Sequence, residues 1–380
     1  GSGLAALAGA TGSASAWGKR TGRVTTFESL GVRPVINCYG TMTILSGSLQ
    51  LPEVNAAMEE GAKHYVHMDE LMEAAGKRLA ELSGAEWGGV FSGAAGALTA
   101  ATAACMTGAD PEKMALLPDV TSLRHEVLIH RSSRNVYDRS VWMTGAKMVE
   151  VRDAAEIDRM ANEKTAAIYL LGEGLDGTEE ITLEQIVAVG KKHGIPIIVD
   201  AAAERPDVPN VYLKAGCDLV AYSGGKCIRG PQSAGLLLGR KDLIQAAFLN
   251  NAPHHSFGRP MKVGKEEIVG MVTAMEMWVK HRDHAAEAKE FERKMNYIRD
   301  RIITIPGVTA TVNLPRRRSN VAATLSIAWE RNQVKITPEE AHTELREGTP
   351  RIWMPASGRG LSIMSYMMEK GEEVIVAKRL

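Results

Sequence analysis

The 380-residue sequence has no net charge, few cysteines and no long apolar run, and each shortage narrows what the chain can do. Lysine and arginine together number 45, as do aspartate and glutamate, so no overall positive field exists to draw in DNA or tRNA. Nucleic acid is not an expected partner. The 4 cysteines, Cys38, Cys105, Cys217 and Cys227, lack the C-x-x-C pairing of zinc sites and the density of a disulfide framework. They fit a reducing, cytoplasmic setting. No apolar stretch approaches the roughly 18 residues that span a bilayer, so no membrane partner is expected either. A dinucleotide fingerprint is missing, because Gly1-Ser2-Gly3 precedes no strand. A P-loop around Gly225-Lys226 fails at both ends, where Val220 and Cys227 stand in place of glycine and a hydroxyl residue. H-E-x-x-H and clustered ligands are absent, so no metal is expected. Internal repeats and sustained heptads are lacking as well.

Residues 1–16 (GSGLAALAGATGSASA) are small, weakly apolar and end on an A-x-A-like Ala14-Ser15-Ala16. They read either as the remnant of an export signal, which would place the protein in the periplasm, or as a flexible tail. From about residue 86 to 240, short β-rich runs alternate with helical patterns, the signature of a mostly parallel sheet covered by helices. The expected strands are 89–91, 114–117, 126–130, 147–151, 166–171, 195–199, 219–222 and 236–238. Several are apolar on both faces, as a buried sheet requires. After Pro260 a long charged helix over 265–301, strands at 308–312 and 322–328, and helices at 338–346 and 372–380 outline a smaller α+β unit. The expected divisions are a tail (1–22), an N-terminal arm (23–60), a large α/β domain (61–262) and a small C-terminal domain (263–380).

The chemistry concentrates in 218–239 (DLVAYSGGKCIRGPQSAGLLLG). A strand runs into Ser223-Gly224-Gly225-Lys226, so the lysine leaves the strand end on a turn with little steric cover. Open α/β sheets bind ligands at that carboxyl edge. A partly desolvated lysine beside a cationic ring has a lowered pKa and forms a Schiff base. An isolated G-G-K would read as a surface turn, but Ile195–Asp200 (IPIIVD) places a carboxylate at the end of another buried strand. An unpaired buried charge costs several kcal/mol, so Asp200 needs a partner. A protonated pyridinium nitrogen is one, and its ring then acts as an electron sink for a carbanion. The bland alternative makes Asp200 a helix cap. Phe91–Gly96 (FSGAAG) adds a strand running into a small-residue helix start, whose amides and Ser92 hydroxyl suit a phosphate. Close helix packing explains the same small residues equally well. Ser223 offers a further hydroxyl.

In this order these elements resemble the fold type I, aspartate aminotransferase-like enzymes that use pyridoxal 5′-phosphate (PLP). Within them the sequence resembles the branch of bacterial selenocysteine synthase and D-glucosaminate-6-phosphate ammonia-lyase. The resemblance rests on Pro34-Val35-Ile36-Asn37, YSGGKCIRGPQSAG, SFGRPMKVGKEEIVG and the end from Gly371-Glu372-Glu373, and covers nearly all of the chain after Arg23. It implies Lys226 as the amine that carries PLP, Asp200 as the ring-nitrogen partner, and Ser92, Gly93, Ala94 and Ser223 around the phosphate. It also implies a homodimer or higher assembly, with Arg259 reaching across the interface.

Only about twenty low-complexity residues precede the fold, whereas the selenium-transferring enzymes carry an added tRNA-binding part. The reading is therefore a PLP-dependent lyase on a small hydroxyamino or amino-sugar acid, with α,β-elimination releasing ammonia and a 2-oxo acid. Racemisation or epimerisation would use every residue named so far. Selenium transfer on seryl-tRNA and a non-catalytic PLP-binding homologue rank below. His130 follows a strand and is placed either against the cofactor ring or as a satisfied core histidine. Arg131 and Arg134 are available to anions, and the resemblance implies Arg351, as a C-terminal arginine, for binding a substrate carboxylate. Glu173 reads as a site or turn residue, His254-His255 as loop polarity, and Arg316-Arg317-Arg318 as a solvated hairpin.

Overall fold

A computed structural model of the protein describes residues 25–175 and 181–380. The tail and the proposed signal remnant at residues 1–16 lie outside the described residues. Among the described residues thirteen strands form three sheets. The largest holds β2 (Trp87–Ser92), β3 (Glu126–His130), β4 (Lys147–Val151), β5 (Thr165–Leu171), β6 (Ile197–Asp200), β7 (Leu219–Ser223) and β8 (Ala234–Gly239). Its order is β2-β8-β7-β6-β5-β3-β4, with β8 antiparallel to both neighbours and the remaining pairs parallel. The carboxyl ends Ser92, His130, Leu171, Asp200 and Ser223 consequently reach one edge.

These strands read apolar without alternation because helices cover both faces, and all six residues of β8 are buried. One face packs Val90, Leu128, Ile168, Val199 and Leu236 against α1 (Pro52–Gly61), α2 (Met68–Ser83) and the helix Lys265–Glu276, which adds Ile268, Met271 and Met275. The other face packs Val127, Tyr169, Ile198 and Leu237 against α3 (Gly93–Thr107). That helix is almost entirely Ala, Gly and Thr, so it lies close to the strands and is buried nearly all round. Burying these surfaces supplies the main driving force for the fold.

A second sheet of four antiparallel strands, β12 (Ala356–Ser357), β13 (Gly360–Met364), β10 (Thr324–Trp329) and β9 (Val308–Asn313), has its own core around Leu325, Ile363 and Met295. The arm joins this unit: β1 (Val35–Asn37) pairs in parallel with β11 (Arg351–Trp353), and Ile36 and Cys38 enter its core.

Two elements differ from the sequence reading. Residues 114–117 were expected as strand, but α4 (Pro111–Leu116) occupies the segment. Pro111 starts it, and the Asp110 carboxylate accepts the Glu112 and Lys113 N–H groups, so local capping outweighs apolar content. The single helix expected over 265–301 is broken. A π turn at Met277–His281 and extended Arg282 end its first part, and the Asp283 side chain caps the helix His284–Ile302 at Ala286 N–H, 2.9 Å away.

Candidate active site

Strand β7 delivers its last residue, Ser223, to the carboxyl edge, and the chain then folds back on itself. Gly224 N–H donates to Ala234 O and Gly230 N–H to Gly224 O, both at 2.8 Å. A Cβ on Gly224 would sit 2.6 Å from Pro231 O, so only glycine lets the turn close. Lys226 emerges from this turn, and its neighbours are tied down. Cys227 is buried, its Sγ 3.0 Å from Glu204 O, while Arg282 Nη1 donates to Cys227 O at 2.7 Å.

One strand away, Asp200 is buried at the tip of β6. Its Oδ1 accepts Ala202 N–H and its Oδ2 accepts the Tyr169 hydroxyl, each at 3.0 Å. Burial pushes the Asp200 carboxyl up, while those two donors and the Lys226 charge pull it back. Burial holds the Lys226 amine below its ordinary range, opposed by the charge of Asp200. A buried carboxylate with donors on two sides and a lysine whose charged form burial disfavours together line two cavities.

The first cavity, about 360 Å³, is bounded by Gly93, Ala94 and Ala95 at the start of α3, by Ser223, Gln232 and Ser233, and by Thr41 to Thr43 of the arm. Gly93 has φ +68°, and the strand residue opposite must be glycine too: a Cβ on Gly235 would lie 2.1 Å from the Gly93 carbonyl carbon. Ser92 is the residue before the helix, and its hydroxyl caps nothing. Backbone N–H groups at a helix start form an anion site. Gln232 Oε1 is buried there without a hydrogen-bond partner. These features fit PLP. Lys226 would hold its aldehyde carbon, Asp200 its ring nitrogen, and Gly93, Ala94 and Ser223 its phosphate.

The second cavity, about 420 Å³, opens beyond Lys226 toward Ser132, Glu173, Glu204, Arg317 and Ser319. Here the sequence reading of Arg316-Arg317-Arg318 as a solvated hairpin needs correction. Arg317 lines the cavity, and Arg318 is half-buried, donating from Nε to Glu204 Oε2 at 2.9 Å and from Nη2 to the Tyr212 hydroxyl at 2.6 Å. Tyr212 in turn donates to Glu204. Glu173 sits in the 3-10 turn Gly172–Leu175 and accepts Ser319 N–H at 2.7 Å.

Other sequence candidates fall elsewhere. His130 is fully buried, with Nδ1 2.7 Å from Ser132 Oγ and Nε2 2.7 Å from Arg152 O, and it is not among the residues lining either cavity. Arg131 lies on the exposed turn that follows it, and Arg134 pairs with buried Asp138. Arg351 donates from Nε to Arg346 O at 2.9 Å and lines neither cavity. Arg259 is exposed on the loop after Asn250. His254 pairs with Asp69 in a separate cavity of about 580 Å³ beside β2, remote from the Lys226 chemistry. Sequence reasoning missed Tyr169, Glu204, Tyr212 and Gln232. Of these only Glu204, four residues after Asp200, carried a readable signal. Among the described residues no group of three or more His, Cys, Asp or Glu could hold a metal ion, and no helix is long and apolar enough to cross a membrane.

Known proteins share the family and the fold. The family described as Cys/Met metabolism PLP-dependent enzyme matches residues 41–278. A 5′-C-glycyluridine monooxygenase-decarboxylase from Streptomyces sp is 31% identical over 352 residues, covering 88% of this chain and 86% of that protein. D-glucosaminate-6-phosphate ammonia lyase from Salmonella typhimurium is 29% identical, covering 93% and 96%. A solved structure of D-glucosaminate-6-phosphate ammonia-lyase superposes with a TM-score of 0.80 at 27% identity, over 93% of this chain and 96% of that one. The expected fold type I architecture stands. With its lysine and carboxylate at one sheet edge and a family match over most of its length, the chain belongs to the Cys/Met metabolism PLP-dependent enzymes and uses pyridoxal 5′-phosphate as its cofactor.

Proposed function

We propose that this PLP-dependent lyase acts on a small hydroxyamino or amino-sugar acid, breaking bonds at Cα and Cβ to release ammonia and a 2-oxo acid. One observation carries the reading: Lys226 and Asp200 face both a backbone-lined cavity and a polar cavity on the other side. Bound PLP supplies the electron sink that makes the substrate's α-proton acidic. Asp200, its two oxygens fixed by Tyr169 and Ala202, would hold a proton at the ring nitrogen. Lys226 Nζ, its amine held below the ordinary range by burial, takes the α-proton and returns it to the departing β-hydroxyl. The small residues at the start of α3 anchor the phosphate and so orient everything else. The relatives do not favour the racemase or epimerase alternative.

The same reading makes the working unit a homodimer or larger, supported by exposed apolar residues beside the cofactor cavity, Met42 and Ile44 among them. Arg259 is then a contact to the partner subunit. Four free thiols support a cytoplasmic setting. The test is to incubate holoenzyme with D- and L-hydroxyamino acids and sugar amino acids, assaying ammonia, 2-oxo acid and substrate chirality. Paired release of ammonia and oxo acid is expected; inversion of configuration without ammonia would overturn the lyase reaction.

A further inference from the structure

The polar cavity has to receive whatever the substrate carries besides its amine. Once PLP is bound, Lys226 is committed to the cofactor, so an acidic substrate group needs another cation. Arg317 is the other cationic residue lining that cavity. Its guanidinium has no hydrogen-bond or ion-pair partner among the described residues. The acids around it are engaged, Glu204 by Arg318 and Tyr212, and Glu173 by Ser319 N–H.

The loop that presents Arg317 is fastened from several directions. Arg205 N–H donates to Arg318 O at 3.2 Å, and Asn320 N–H donates to Ala203 O at 3.3 Å. The Arg318–Glu204 ion pair at 2.9 Å and the Ser319–Glu173 hydrogen bond at 2.7 Å complete the anchorage. An exposed arginine on an anchored backbone loses less conformational freedom on binding than one on a free loop. Its planar fork matches the two oxygens of a carboxylate or phosphate.

We infer that Arg317 is the specificity-determining residue that receives an oxyanion of the substrate, a carboxylate or a phosphate. The inference rests on the preceding reading of this cavity as the substrate side, but not on elimination being the reaction. Its test therefore reads binding rather than turnover. Wild-type, Arg317→Gln and Arg317→Lys holoenzymes are titrated with 2-methylserine, which lacks an α-proton, and with 2-methylserinamide, whose carboxylate is neutralised; inorganic phosphate is the competitor, and the change in cofactor absorbance is the signal. An unaltered starting spectrum shows that each variant has folded and loaded. For a carboxylate, Arg317→Gln weakens 2-methylserine at least about tenfold, leaves the amide unchanged, and Arg317→Lys recovers part of the loss. For a phosphate, 2-methylserine binding stays put while phosphate competes in wild type and not in Arg317→Gln. Equal weakening of acid and amide, or no change in affinity and competition, overturns the assignment. Absence of ammonia release with either Arg317-dependent pattern would sink the lyase reaction and leave this inference standing.

Discussion

Of the two cavities that Lys226 lines, one is bounded largely by small and hydroxyl residues, and the other gathers Glu173, Glu204 and Arg317. The wall we assign to the cofactor includes Gly93, Ala94, Ser223 and the turn that Gly224 permits, all near strand ends and all small. The wall we assign to the substrate includes Glu173, Glu204, Arg317 and Ser319, brought from separate stretches and locked by the Arg318–Glu204–Tyr212 network. Backbone amides cannot be changed by substitution, so the first wall suits a constant ligand. Side chains are exchangeable, so the second suits the variable part of a substrate.

The most severe break of this comparison is Lys226→Ala, which removes an amine that lines both cavities. Turnover should fall by about three orders of magnitude or more. Borohydride should no longer link cofactor to protein; a reducible link at another lysine would reject the assignment. Gly235→Ala should damage the cofactor wall alone, because the new Cβ meets Gly93 carbon and oxygen at 2.1 Å and Ala94 N at 2.5 Å. We expect a stability loss of about 2 kcal/mol and weaker PLP binding, read by denaturant melts and cofactor titration. Unchanged PLP affinity would mean that α3 does not hold the phosphate.

Arg318→Met should do the converse. It leaves buried Glu204 without its ion-pair partner, lowering stability by about 1 to 2 kcal/mol and raising KM while PLP affinity holds. A parallel loss of PLP affinity would show that the walls are not independent. The smallest effect concerns Asp200, whose carboxyl burial raises above the ordinary 3.8. The folded protein keeps this proton to higher pH than the unfolded chain does. Stability therefore falls as pH climbs from the ordinary value through the raised one, and the loss persists at neutral pH. Asp200→Asn apoprotein should be more stable than wild type at neutral pH, the gap closing in acid, as differential scanning calorimetry would report. A constant gap across pH would place its origin outside this titration.

What could be read from the order of residues was contiguous. The strand ends at Asp200 and Ser223, the glycine turn to Lys226 and the small-residue start of α3 each depend on neighbours within a few positions, since capping, turn closure and strand burial are local effects. The same locality misled the reading at 114–117, where apolar content concealed a capped helix. Arg317 and Glu204 lie more than a hundred residues apart in the chain, and their environment exists only after the loop before β10 packs beside the end of β6. Arg318 became a partner of Glu204, and Arg351 of the Arg346 carbonyl, through distances that no spacing along the chain encodes. Composition and short-range pattern thus determined the cofactor side. Tertiary packing decided the substrate side, because the energy of a charge depends on what surrounds it in space rather than on what precedes it in the chain.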